Sequence, residues 1–400
     1  MASGADRISS LPEETLLHVL TFLPAHEAVQ TSVLARRWRH LWRSVPRLWI
    51  VQQDRFETIE EMNKFVSHLL LLRDHSSALE ECQFAVKSYF TDDCKHVDLW
   101  LRQALCCQVR SLLFDSYSLY ELSVLADAPL ISKHLRKLSL DSVMLKDCFM
   151  DFSSCLVLED LKMVSCSFGT KISSNSLKWL SLSNCDFDWD TRGRISVPNL
   201  LSLEIADLGQ CLFPLLESMP SLVTAFIRTG SNSEDYSIMD DNDPSVILDG
   251  LSDAVNLELT VEANGKFEPF RCTFVRDFRW CPTFSKLKTL LLNEWFLVAN
   301  LNLLIWFLEH SPILEKLTLQ LPKNAKYIIE AESRGRPLLR EYFSASKHLK
   351  IVELKCDEID EMVHEVVKVL SSCGVHLDQI NVKRWKSPST CFSFEKKLSR

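Results

Sequence analysis

The stretch LEDLKMVSCSFGTKISSNSLKWLSLSNCDF, residues 158–187, decides how this chain folds. Within it Leu158, Leu161 and Met163 fall at relative positions 0, +3 and +5, and Leu177, Leu180 and Leu182 repeat that spacing. Cys166 with Phe168, and Cys185 with Phe187, extend the two copies at +8 and +10. Apolar residues at +3 and +5 give the period of a short strand with one face on a core, so +4 and +6 face outward. One such unit cannot bury its apolar face alone. Neighbouring units must stack to do so.

The spacing recurs in both directions. Upstream it runs through Leu79, Cys82, Phe84; Val109, Leu112, Phe114; and Leu135, Leu138, Leu140. Downstream it returns at Leu200, Leu203, Ile205; Leu287, Leu290, Leu292; Leu314, Leu317, Leu319; and Leu349, Val352, Leu354. Trp295 and Leu297 supply a further +8/+10 tail. The copy at Leu222, Ala225, Ile227 is degraded, and Leu257-x-Leu259-x-Val261 has no clear tail. The pattern is similar to the leucine-rich repeat, L-x-x-L-x-L-x-x-N/C-x-L, here with an irregular period of roughly 19 to 35 residues. Segments 97–105 and 303–308 read as helices on the convex side, and Phe296 to Leu308 as a buried strand running into a buried helix.

The first fifty residues follow a different rule. After Pro12, Leu16, Leu17, Leu20 and Leu23 recur at helical spacing with Val19 and Phe22 between them. Pro12 suits a first turn, Glu13 and Glu14 favour the positive helix end, and Ser10 stands at capping-box distance from Glu13. Pro24 ends that helix. A second is expected over 24–33, a third over 35–42, and a further amphipathic helix over 59–72 with Met62, Phe65, Val66, Leu69 and Leu70 on one side. Three short helices in about 45 residues are too small for a self-sufficient core, so a partner surface is expected.

The run Asp6-Arg7-Ile8, Leu11-Pro12-Glu13, Leu16-Leu17, Leu20, Phe22-Leu23-Pro24, Ala28-Val29, Thr31-Ser32, Leu34, Arg36-Arg37-Trp38-Arg39, Leu41-Trp42, Val45-Pro46 resembles a plant F-box. Val19 stands where that pattern has Ile, and Ala35 where Ser is common, forfeiting a cap worth roughly 1 kcal/mol. The resemblance implies docking on the Skp-type adaptor of an SCF ubiquitin ligase and, through it, on a cullin/RING scaffold. Leu11, Pro12, Leu16, Leu20, Val33 and Leu34 are the expected anchors, helix-in-groove, with Trp38 divided between adaptor contact and core packing. From about Arg336 to Trp385 the order strand, helix, strand resembles the FBD region that follows the repeats in many such proteins, without its usual Cys-Trp. Met362, Val363, Val366, Val367 and Leu370 are the helix interior, Leu377, Ile380 and Val382 the last strand, and the region is expected to cap the repeats.

The expected fold is therefore α/β: a three-helix F-box over 6–50, an irregular repeat solenoid over 59–330, and a strand–helix–strand cap over 336–385. Composition agrees with a non-catalytic interaction protein. The net charge of −8 is spread over both signs, which gives no footprint for nucleic acid or anionic membrane. Nine glycines argue against phosphate-cradling loops. Fourteen cysteines in a long chain that reads without a leader are expected to be reduced thiols in the cytoplasm and/or nucleus.

Chemistry of the chain's own is not expected. No CxxC occurs, and adjacent Cys106-Cys107 suit one tetrahedral zinc poorly. Cys166 and Cys185 occupy the repeat position that satisfies turn backbone. The histidines show no hydrolase arrangement, and Asp240, Asp241 and Asp243 lack a calcium loop's glycine and terminal Glu. No cofactor or metal is expected. Target recognition is expected at outward strand positions, with Lys162, Ser181, Ser183, Glu204 and Asn293 as contact residues. An adaptor-bound scaffold that delivers no ubiquitin, or a repeat protein sensing a small ligand, are the alternatives.

Overall fold

A computed structural model describes residues 11–52, 56, 58–74, 76–86, 94–116, 122–125, 128–187, 192–208, 213–230, 247–262, 282–293, 296, 301–321 and 348–384. The chain divides into two compact units, Met1–Leu222 and Val223–Arg400.

The first unit opens with helices α1 (Glu13–Leu20) and α2 (Ala25–Gln30) and two 3-10 segments, Thr31–Val33 and Arg36–Ser44. The third expected α-helix is thus a 3-10 helix. Trp38 and Leu41 are three residues apart and both buried, which matches three residues per turn, and the Trp38 N–H closes on the Ala35 carbonyl at 3.0 Å. Ala35 offers no side-chain cap, so nothing pins an α-type first turn.

Strand β1 (Arg47–Val51) follows directly and pairs in parallel with β2 (Glu81–Val86). Val45, Leu48 and Ile50 are buried at the 0, +3 and +5 spacing, a copy hidden in the segment read as F-box. The ladder continues in chain order through β3 (Ser111–Ser116), β5 (Lys137–Asp141), β7 (Asp160–Val164), β10 (Trp179–Ser183) and β13 (Ser202–Ala206), parallel throughout. All six triplets read from the sequence between Leu79 and Ile205 are buried, and like positions pair with like: Leu138 with Leu161, Leu161 with Leu180, Leu180 with Leu203.

Between these strands the chain length left over sets the connection. The units starting at Val45 and Leu79 have room for helices α3 (Ile59–Leu71) and α4 (Cys94–Cys106). Thr58 caps α3 through Glu61 N–H at 3.2 Å, and Trp100 of α4 donates to Asn63 of α3 at 2.9 Å. The shorter units between Val109 and Leu222 leave no room for several helical turns plus two bends. They carry short strands instead: β4 (Ser123–Val124), β6 (Val143–Leu145), β8 (Ser167–Phe168) and β11 (Asp186–Phe187) make one small ladder, and β9 (Lys171–Ser173), β12 (Arg194–Ser196) and β14 (Leu215–Leu216) another. In the four units starting from Leu135 to Leu200, the bend at +7 uses a left-handed residue, Ser142 (φ 56°), Ser165 (49°), Asn184 (53°) and Asp207 (53°). Short polar side chains tolerate that conformation, which lets a glycine-poor chain turn. Cys166 and Cys185 sit one residue later, buried, their thiols donating to the Val164 and Ser183 carbonyls at 3.2 and 3.4 Å.

The second unit repeats the construction. β15 (Thr224–Gly230), β16 (Asn256–Glu262), β17 (Thr289–Leu292), β18 (Lys316–Gln320), β19 (Ile351–Cys356) and β20 (Ile380–Arg384) lie parallel in chain order. The copies that look degraded in sequence pair fully: Leu222, Ala225 and Ile227, and Ala254, Leu257 and Leu259, are all buried. Smaller residues weaken the signal without breaking the period. Phe296 lies beyond the end of β17 rather than in a strand, and the following helix is Leu301–His310; the tail at Trp295 and Leu297 falls outside the described residues, as do Ser10 and Asp240 to Asp243.

The helix Glu361–Ser372, capped by Asp360 accepting the Val363 N–H at 3.1 Å, buries Met362, Val363, Val366, Val369 and Leu370. β20 then prolongs the ladder instead of closing it: Leu377 and Val382 stay exposed. The expected strand–helix–strand order is present, with β20 as one more rung beside β19. Residues 336–347 of that region fall outside the described residues.

Charge reinforces the stacking at one repeated position, +1. There Glu80 meets Arg110 at 2.9 Å and Glu159 sits between Arg136 and Lys178 at 3.7 and 2.7 Å; in the second unit Glu315 sits between Lys288 and Lys350 at 3.7 and 2.7 Å. These pairs are exposed enough for solvent to screen them, so they add little to stability.

Candidate functional site

In α1 the amphipathic pattern sends Leu16 and Leu20 inward, where both are essentially inaccessible. Pro12 takes the N-cap position with φ −55° and ψ 148°, and Glu13 and Glu14 occupy the first turn. The opposite side carries apolar residues too. Leu11 is 36% exposed, Val19 45% and Phe22 68%. After α2 buries Ala25 and Ala28, Thr31 bonds back to the Ala28 carbonyl at 2.7 Å and the tight turn projects Val33 and Leu34 outward, 84% and 68% exposed. The 3-10 segment buries Trp38, Leu41 and Trp42, with the Arg43 guanidinium 5.5 Å from the Trp42 ring.

The expected anchors therefore separate. Leu11, Pro12, Val33 and Leu34 are on the free surface. Leu16, Leu20 and Trp38 are covered by the chain itself, so they hold the helices in place and present no contact area. Val19 and Phe22 join the exposed set. The helical period at Leu16 and Leu20 already places Val19 off the buried stripe, the one sequence signal for it.

One buried cation ties this region to the sheet. Arg73, just past α3, donates to the Val45 carbonyl at 2.6 Å and to the Ser77 and Ala78 carbonyls at 3.5 and 3.4 Å. Burial lowers its pKa, with nearby Cys107 and Cys82 opposing.

The residues expected to meet a target lie on the outward face of the strands. Lys162, Ser181 and Glu204 form one row across β7, β10 and β13, with Ser181 donating to Glu204 at 3.0 Å; Ser183 stands one step further along, level with Val164 and Ala206. Asn293 is different. Its amide donates to the Val261 carbonyl at 2.7 Å and its oxygen accepts the Val261 N–H at 3.2 Å, so it extends the ladder beyond β17 and is committed to backbone.

The outward face of the second unit is not uniformly open. Glu258, Leu291 and Thr318 share one row there and are all buried. Burial pushes the Glu258 carboxyl up to about 7, with Lys355 opposing. The same hydroxyl-rich face buries Thr260 Oγ1 without a hydrogen-bond partner. Nearby, Glu353 is held down by Lys383 and Lys316, at 2.8 and 3.3 Å, against its own burial. Among the described residues no three His, Cys, Asp or Glu side chains group as metal ligands, and no helix is long and apolar enough to cross a membrane.

Residues 8–50 match the F-box domain. An F-box/FBD/LRR-repeat protein of Arabidopsis thaliana is 31% identical over 259 residues, 56% of this chain and 60% of that protein. A putative F-box/FBD/LRR-repeat protein of the same plant is 29% identical over 350 residues, covering 80% and 76% of the two chains. A putative FBD-associated F-box protein is 29% identical over 263 residues, 56% and 62%. The chain carries an F-box domain and is similar, over more than half its length, to plant F-box/FBD/LRR-repeat proteins. The matched F-box domain ends at residue 50 inside β1, so the domain runs into the sheet with no spacer. F-box domains generally bind Skp-type adaptors, and proteins of this family are generally non-catalytic.

Proposed function

We propose that this protein is the target-binding subunit of a Skp–cullin–F-box ubiquitin ligase. One observation carries the reading: a domain that matches the F-box leaves Leu11, Val19, Phe22, Val33 and Leu34 exposed while burying Leu16, Leu20 and Trp38. A small helical unit gains nothing by exposing such residues unless a partner covers them. The adaptor contact is then made by Leu11, Pro12, Val19, Phe22, Val33 and Leu34, helix-in-groove, with the inward residues fixing their placement.

The parallel sheets are read as an irregular leucine-rich-repeat solenoid, divided into an F-box over 6–50, repeats over 59–330 and an FBD-like region over 336–385. Their outward face holds the target through Lys162, Ser181, Ser183 and Glu204, with Asn293 supporting the backbone. The adaptor brings the cullin/RING scaffold and a charged conjugating enzyme, so catalysis is by proximity: target lysines are held at high effective concentration. The complex works in the cytoplasm and/or nucleus.

Affinity capture from proteasome-inhibited plant cells tests this against a scaffold that delivers no ubiquitin. The intact chain is expected to retain ubiquitin-modified proteins that are absent with Val33→Glu/Leu34→Glu. Equal recovery of modified proteins with both chains rejects the receptor reading.

A further inference from the structure

Across the first unit's outward face, charge is balanced along one margin and left unbalanced along the other. At positions +1 and +2 the acids stand among cations: Glu80 with Arg110, Glu159 with Arg136 and Lys178, Asp160 with Lys137 at 3.5 Å, and Glu81 opposite Arg47 in the register of β1 and β2. At +4 and +6 the acids are Asp115, Asp141 and Glu204, and none makes an ion pair among the described residues. Lys162 is the single cation in those two rows of β1 to β13. Asp115 stands directly opposite Asp141 in the register of β3 and β5. Like charges in that relation cost stability, so the pair is a feature that folding alone does not favour. Partial burial and the facing Asp115 raise the Asp141 pKa, with the Ser142 hydroxyl at 2.8 Å and Lys162 opposing.

The floor around these carboxylates is shaped for a chain. Ser139, Ser181 and Ser183 are short, so an extended backbone can lie close to the strands. Trp179, exposed on β10 one position before Leu180 and with the Lys178 ammonium 6.0 Å from its ring, offers a flat aromatic surface of the kind that anchors partners. The entry margin is self-neutralised and the exit margin is not. A net negative face with an aromatic anchor is complementary to positive charge.

We propose that this face takes an extended segment of the target that carries lysine or arginine side chains, which meet Asp115, Asp141 and Glu204. The inference rests on the reading of the sheet as the target surface and adds the chemistry of the target. It also separates two margins that look alike in composition.

The test uses the full chain in complex with a Skp-type adaptor and two fluorescein-labelled peptides, Gly-Arg-Ser-Lys-Gly-Arg-Ser-Lys-Gly and its counterpart with Glu at every basic position. Fluorescence anisotropy at 50 mM salt is expected to show binding of the basic peptide and at least tenfold weaker binding of the acidic one. Asp115→Asn/Asp141→Asn should weaken the basic peptide about tenfold while the melting temperature holds or rises, because a repulsion is removed. Equal binding of the two peptides, or a double variant within twofold of the parent, overturns the proposal. Ubiquitin transfer in the reconstituted ligase separates it from the reading beneath it. A basic peptide that binds at this face but is never modified on its lysines keeps the surface assignment and removes the receptor role.

Discussion

Glu258 sits at an outward strand position where a carboxylate is ordinarily solvated, yet it is buried and its carboxyl is raised to about 7. The folded protein therefore holds the proton more tightly than the unfolded chain does. Its contribution to stability is fully present below the ordinary value of 4.5 and is lost as pH rises through about 7. Lys355, the cation that opposes the shift, is itself lowered by burial and remains a weak counterweight. Glu258→Gln should leave the melting temperature unchanged near pH 4 and raise it at pH 8, by on the order of 2 kcal/mol in stability. Melting curves between pH 4 and 8 check this; parallel profiles for parent and variant contradict it. The period of two shows in sequence that Glu258 faces away from the repeat core. It cannot show whether the far side is open, because that depends on what packs there. Lys162 and Glu204 obey the same rule and are exposed, whereas Asn293 is spent on the Val261 backbone.

At the scale of the element, the strands were the most legible part of the chain. A triplet at 0, +3 and +5 needs three large apolar residues on one face, and every triplet read that way is buried. Leu161→Ala should cost 2–5 kcal/mol by opening a cavity between β5, β7 and β10, while neighbouring Lys162→Ala should stay within about 0.5 kcal/mol. Urea denaturation separates the two; similar losses contradict the assignment of faces. Two elements are hidden in the sequence for physical reasons. The segment Arg36–Ser44 has helical amphipathicity, but its Trp38–Leu41 spacing and uncapped start favour a 3-10 helix. The strand Arg47–Val51 is masked because Val45, Leu48 and Ile50 stand within the F-box motif, whose helical pattern covers theirs. Arg73 anchors that junction. Arg73→Met should destabilise by about 2–4 kcal/mol, since the buried Val45 carbonyl and the part-buried Ser77 and Ala78 carbonyls lose their donor, and calorimetry should show the loss in full at neutral pH. A change under 1 kcal/mol contradicts the role.

For the molecule as a whole, strand order equals chain order within each unit, as stacking of consecutive repeats requires. The site was legible in outline only. Residue types marked the F-box, but its inward and outward leucines look alike in sequence; Leu16 and Leu34 differ in burial, not in chemistry. The account stands on the outward ones being a docking surface. Calorimetric titration of the intact chain with a purified Skp-type adaptor measures this directly, alongside Val33→Glu/Leu34→Glu. Truncated interface anchors commonly cost 2 kcal/mol or more, and a charge in their place at least as much. The account predicts binding by the parent, a loss of at least thirtyfold in the double variant, and equal melting temperatures. An adaptor that fails to bind the parent, or binds parent and variant alike, would contradict it.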